Sequence, residues 1–196
     1  MIRIAITGPS GSGKGYVCSL LEKRGIVSLD CDAVVHRLYA SNDLAVRLSK
    51  ELGTNVCHPG GGVDRGVLAP IVFGNEEMMK RVQRIVYPLV RARCLAFLEE
   101  QEQAGAKAAA VDAPQLFEAG FEGDYRLILC VSAPKEERLS RIMKRDGISK
   151  EDALLRMSNQ MSEKEYEKRC HAVIENGGGN DPERKLERVL RDHGVC

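Results

Sequence analysis

The chain has 196 residues, 43% hydrophobic and 29% charged, with 29 basic against 28 acidic side chains and a formal net charge of +1. The length suits one well-buried core, and the composition excludes a disordered chain. The charge balance gives no global field for nucleic acid, and no apolar run approaches the roughly 20 residues that a membrane helix needs.

In chain order, short β-branched runs alternate with longer helical patterns. Residues 2–7 read as a buried strand, too short for a signal peptide and followed at once by a glycine loop. A helix is expected over 14–23, ended by Gly25, and a second strand over 26–29. Helices are expected over 32–39, 43–52 and 76–103, with a loop at 57–62 that holds Pro59 and three glycines. Strands follow at 108–112, 127–132 and 172–174, and helices at 135–145, 150–161 and 182–192, with a turn at 177–180. This alternation implies parallel strands with right-handed crossovers, hence an α/β fold. The organisation expected is a single domain over 1–196. Its core is 1–31, 105–140 and 170–196, with a helical substrate-binding insertion over about 32–104 and a lid over about 141–169. Cys18, Cys31, Cys57, Cys94, Cys130, Cys170 and Cys196 are odd in number and lack Cys-x-x-Cys spacing. Free thiols in a reducing cytoplasm fit them better than disulfides or a zinc site.

Gly8-Pro9-Ser10-Gly11-Ser12-Gly13-Lys14 matches G-x-x-x-x-G-K, between a strand and a helix as that motif requires. Gly8, Ser10, Gly11, Ser12, Gly13, Gly15 and Tyr16 are expected to wrap backbone N–H groups around phosphate oxygens at a helix N-terminus. Lys14 would reach the β- and γ-phosphates and stabilise charge during transfer. Position 15 is glycine where Ser or Thr normally offers a hydroxyl to Mg²⁺, so that ligand is absent and a water can replace it.

Asp30 and Asp32 stand where the second strand ends, the side of a parallel sheet on which ligands bind. An aspartate there can take the proton of an attacking hydroxyl, and either one can equally cap the following helix. Asp112 ends the third strand as a Walker-B acid does, to hold Mg²⁺, or serves as a turn residue beside Pro114. Arg138, Arg141 and Arg145 are spaced three and four apart and share a helical face, with Arg156 and Arg169 further on. Such a cluster suits a triphosphate and its transition state, or forms a solvated face paired with Glu136, Glu137 and Asp146.

Taken together, these segments resemble the dephospho-CoA kinase family along nearly the whole chain. The resemblance rests on the phosphate loop, Asp30-Cys31-Asp32, Asp64-Arg65-Gly66-Val67-Leu68 and Ile85-Val86-Tyr87-Pro88-Leu89-Val90. It rests above all on Val111-Asp112-Ala113-Pro114-Gln115-Leu116-Phe117-Glu118-Ala119-Gly120. Arg156-Met157-Ser158-Asn159-Gln160 and Val173-Ile174-Glu175-Asn176-Gly177 sit in the family's order.

The resemblance implies a three-layer P-loop NTPase fold with a five-stranded parallel sheet. It implies ATP-dependent phosphorylation of the ribose 3′-hydroxyl of dephospho-CoA, the last step of coenzyme A biosynthesis, with Mg²⁺. It implies Asp32 as base, with Lys14, Arg141 and Arg138 also catalytic, and Arg145 and Asn176 beside the nucleotide. Asp30, Asp32, Arg65, Tyr87, Pro88, Pro114 and Leu116 would bind the acceptor, and Asp112 the metal. The partners expected are dephospho-CoA and ATP, with no nucleic acid and no membrane, for a cytoplasmic monomer or weak homo-oligomer. Three positions depart from the family pattern: Gly15 for Ser, Tyr87 for His and Gln115 for Leu. They keep two alternatives open, a kinase for another small hydroxyl acceptor and an ATP-binding relative with impaired catalysis.

Overall fold

A computed structural model describes residues 1–195; Cys196, one of the seven expected free thiols, lies outside the described residues. Ile4, Ala5 and Ile6 are wholly buried, as a strand covered on both faces must be. β1 (Ile2–Thr7) accordingly runs through the middle of the sheet, parallel to β3 (Ala108–Asp112) on one side and β4 (Leu127–Ser132) on the other. β5 (Ala172–Glu175) pairs in parallel with β4. β2 (Ser28–Asp30) takes the opposite edge, which gives the order β2-β3-β1-β4-β5. The five parallel strands with their helices are the α/β fold expected from the sequence.

Register explains the core. Ile4 stands level with Ala110 and Leu127, and Ile6 with Asp112 and Leu129. Val17, Leu20 and Leu21 of α1 (Lys14–Glu22) and Leu186, Val189 and Leu190 of α9 (Pro182–Asp192) join them in the main buried cluster. Each such aliphatic side chain contributes about 1.5–3 kcal/mol by leaving water. The same register puts Asp112 on the face that carries Ile6 and Leu129.

Between β2 and β3 come α2 (Cys31–Tyr39), α3 (Asn42–Leu52), α4 (Arg65–Val72) and α5 (Glu76–Gln103). After β4 come α6 (Lys135–Asp146), α7 (Lys150–Ser158) and α8 (Glu163–Arg169). Three elements differ from the sequence reading. β2 starts later because Ile26 turns into the core, its N–H bonded to the Leu21 carbonyl at 3.0 Å. α4 has no counterpart in that reading, since Pro70 within it reads as a breaker; Asp64 starts it by accepting from Val67 N–H at 3.1 Å. The single helix expected over 150–161 stops at Ser158, and Ser162 starts α8 by accepting from Glu165 N–H at 3.2 Å.

The chain divides into two compact units. Met1–Leu29 with Phe97 onward contains the central sheet, α1 and α6 to α9; Asp30–Ala96 contains α2, α3, α4 and most of α5. In the second unit, the Tyr39 carbonyl accepts from Val63 N–H at 2.7 Å and Asn42 Oδ1 from Gly62 N–H at 2.7 Å. These bonds pin the loop that precedes α4. Among the described residues no helix is long and apolar enough to cross a membrane.

Candidate active site

The phosphate loop leaves β1 at Gly8, whose φ of +131° is a conformation that side chains rarely adopt. A Cβ there would lie 2.2 Å from the Val131 carbonyl oxygen, so loop and β4 approach only because residue 8 is glycine. Gly13, at φ +92°, begins α1, and a Cβ on it would lie 2.0 Å from Asn176 Nδ2. The loop's carbonyls are held from one side. Arg138 Nε donates to the Ser10 carbonyl at 2.9 Å, Arg141 Nη1 to those of Gly11 and Ser12 at 3.2 Å each, and Asn176 Nδ2 to that of Ser12 at 2.8 Å. In a planar trans peptide the N–H points opposite its carbonyl, so the anchored carbonyls of Ser10 and Ser12 direct the N–H groups of Gly11 and Gly13 to the other side. That is the construction of an anion nest at a helix N-terminus. Contrary to the sequence expectation, the N–H groups of Ser10 and Ser12 themselves bond to Gln160 Oε1 at 2.9 Å and to the Pro9 carbonyl at 3.3 Å.

Lys14 folds over this loop, with Nζ donating to the Gly8 carbonyl at 3.0 Å. Ser12 Oγ is buried without a hydrogen-bond partner among the described residues. Arg141 stays partly exposed, its Nη2 shared between Glu137 Oε2 at 2.8 Å and the Asn176 carbonyl at 3.0 Å. Arg138 is 3% exposed, pairs with Glu163, and is pulled below the usual guanidinium pKa by loss of water. Arg145, in the last turn of α6, forks onto Asp146 at 2.8 and 3.0 Å. With Arg156 it holds the Asp146 carboxyl below the ordinary carboxylate range. Tyr16 is exposed, and its carbonyl accepts from Ser19 Oγ at 2.7 Å. At the end of β3, Asp112 Oδ2 lies 3.9 Å from Cys18 Sγ, a weak thiol contact.

In the second unit the two acids separate their tasks. Asp30 is the N-cap of α2, its Oδ1 accepting from Asp32 N–H at 2.8 Å. Asp32 is exposed in the first turn and lines a cavity of about 520 Å³ with Val35, His36, Tyr39, Arg65 and Leu68. The Arg65 guanidinium lies over the Tyr39 ring at 5.1 Å, with Nη2 3.2 Å from His36 Nδ1. Burial pushes the Tyr39 phenol pKa up.

The dephospho-CoA kinase family profile matches residues 2–181. The chain belongs to the dephospho-CoA kinase family. A dephospho-CoA kinase of Thermus thermophilus is 39% identical over 193 residues, which cover 97% of this chain and 91% of that one. A solved Thermus thermophilus structure superposes with a TM-score of 0.81 at 37% identity, covering 97% of each chain. Dephospho-CoA kinase from Campylobacter jejuni superposes at 0.71 with 26% identity, covering 97% of this chain and 96% of that one.

The structure gathers the loop from Gly8 to Tyr16 with Arg138, Arg141 and Asn176 in the first unit, and Asp32 with Arg65 in the second, where Asp30 bonds the Asp32 backbone in its capping role. Tyr87 is half-buried and Pro88 exposed midway along α5. The Pro114 carbonyl accepts from Thr7 Oγ1 at 3.5 Å, and Leu116 is wholly buried. A Cβ on Gly15 would meet nothing within 4 Å, so the missing hydroxyl reflects no shortage of room. The sequence reading gave no role to His36, Tyr39 or Gln160. The first two show only as one face of α2, and Gln160 only as part of a segment in family order.

Proposed function

We propose that this chain transfers the γ-phosphate of ATP to the ribose 3′-hydroxyl of dephospho-CoA, giving CoA and ADP. The observation that carries the reading is the family match over residues 2–181, which spans the braced phosphate loop and the acid pair alike. Lys14 and the loop's N–H groups, apart from those of Ser10, Ser12 and Tyr16, which bond to Gln160 and to the Pro9 and Gly13 carbonyls, take the β- and γ-phosphates. Arg141, partly exposed beside the loop, supplies charge to the transition state. Arg138, buried and bonded to Ser10, works from behind by holding the loop.

Asp32 accepts the proton of the acceptor hydroxyl as its oxygen bonds to the γ-phosphorus and the bond to the ADP oxygen breaks. Asp30 keeps the helix start in place. Arg65, backed by Tyr39, suits an anionic group of the acceptor, and Tyr87 and Pro88 belong with it. Asp112 offers one hard carboxylate oxygen, which fits Mg²⁺ because that ion is commonly held by one or two carboxylates, phosphates and water. Bound there, the ion would neutralise charge on the phosphates. The enzyme works in the cytoplasm, as a monomer or weak homo-oligomer.

The test is to supply Mg·ATP with dephospho-CoA, a nucleoside monophosphate or a sugar alcohol, and to follow ADP and product mass. The expected result is one ADP per CoA, confined to dephospho-CoA. ATP binding without CoA formation, or preference for another acceptor, would overturn the assignment.

A further inference from the structure

Gln160, in the connection between α7 and α8, makes two hydrogen bonds to a single residue of the phosphate loop. Its Oε1 accepts from Ser10 N–H at 2.9 Å, and its Nε2 donates to Ser10 Oγ at 3.0 Å. The Ser10 carbonyl is taken from the other side by Arg138 Nε at 2.9 Å. The far end of Arg138 pairs with Glu163, the first residue of α8. The contacts therefore close into a ring: Ser10 to Arg138, Arg138 to Glu163, Glu163 along two intervening residues to Gln160, and Gln160 back to Ser10. A carboxamide suits the closing position, because it carries a donor and an acceptor in one planar group. A carboxylate there would add negative charge beside a triphosphate site. Asn would be one methylene too short.

We propose that Gln160 is a positioning residue for ATP. By holding both the N–H and the hydroxyl of Ser10 it fixes the peptide geometry of the phosphate loop and couples it to the α7–α8 connection. This rests on the reading that the loop takes ATP. It assigns Gln160 no contact with the reacting atoms. An opened ring leaves the loop free to turn at Ser10, so ordering it consumes part of the nucleotide's binding energy, while acceptor binding is untouched.

The test compares wild type, Gln160→Met, Ser10→Ala and the double variant. Met keeps the side-chain length and removes both hydrogen bonds; Gln160→Asn replaces it if Gln160→Met does not fold. ATP affinity is measured by calorimetry, KM for both substrates by turnover, and Tm by thermal unfolding. The expected result for Gln160→Met is a rise in ATP Kd of roughly tenfold, the size of one or two net hydrogen bonds, with KM for dephospho-CoA unchanged. Ser10→Ala should cost less. Adding it to Gln160→Met should cost nothing further, because the ring is already open. Unchanged ATP affinity in a folded Gln160 variant would overturn the proposal, whatever the change in Tm. So would costs of the two substitutions that simply add. Direct binding keeps this separate from the functional assignment: a wild type that binds ATP but makes no CoA would break that assignment and leave this comparison readable.

Discussion

The phosphate loop and the acid pair both sit at the end of a strand, and they are organised in opposite ways. The acid pair is local: Asp30 holds the backbone of Asp32, two residues on. The loop is held from far along the chain, by Arg138, Arg141, Gln160 and Asn176, at sequence separations of 128 to 164 residues. A local device keeps its shape as long as its helix forms. A loop braced from α6, the α7–α8 connection and the end of β5 keeps its shape only while all three are in place. ATP affinity should therefore respond to substitutions remote in sequence, and the acid pair should not.

The largest effect is expected at Gly8. Ala there must clear the Val131 carbonyl and adopt a strained φ, so Gly8→Ala should cost about 2–4 kcal/mol of stability and abolish ATP binding. Denaturant unfolding and nucleotide calorimetry measure both. Near-wild-type values would mean that the close approach of loop and β4 is unimportant. The smallest effect is expected at Gly15, on the open side of the same motif. Gly15→Ser meets no neighbour and should stabilise α1 by about 0.3–0.5 kcal/mol. The new hydroxyl should also lower the Mg²⁺ concentration needed for half-maximal turnover. An unchanged Mg²⁺ titration would show that the metal is held without help from this position.

Much of this was legible in the sequence where the signal is local. β1, β3 and β4 are largely apolar runs, interrupted inside only by Arg3 and each ending on a polar residue. α9 opens with Asp181, whose side chain accepts from Arg184 N–H at 3.0 Å, followed by Pro182 at the first helical position. The G-x-x-x-x-G-K spacing gives the phosphate loop outright. What spacing cannot give is the use made of a side chain after folding. Arg138 and Arg141 share a helical face and read alike, yet one is buried against Ser10 and the other is partly exposed. Asp30 and Asp32 are equal as capping residues on paper, and the turn into α2 gives the cap to Asp30. α4 hid behind Pro70. The break between α7 and α8 hid because Met161 continues the apolar period past the end of α7. Gln160 is one polar residue in a connection, and only the fold brings it to Ser10.

The most direct test of the division between the two regions is the pair of values kcat and ATP Kd for Asp32→Asn. Asn preserves the size of the side chain, and the cap on α2 belongs to Asp30, so the variant should fold and bind ATP as the wild type does. Loss of the base should lower kcat by on the order of 10²–10⁴-fold. A variant that keeps wild-type kcat would contradict the assignment of Asp32 as the base.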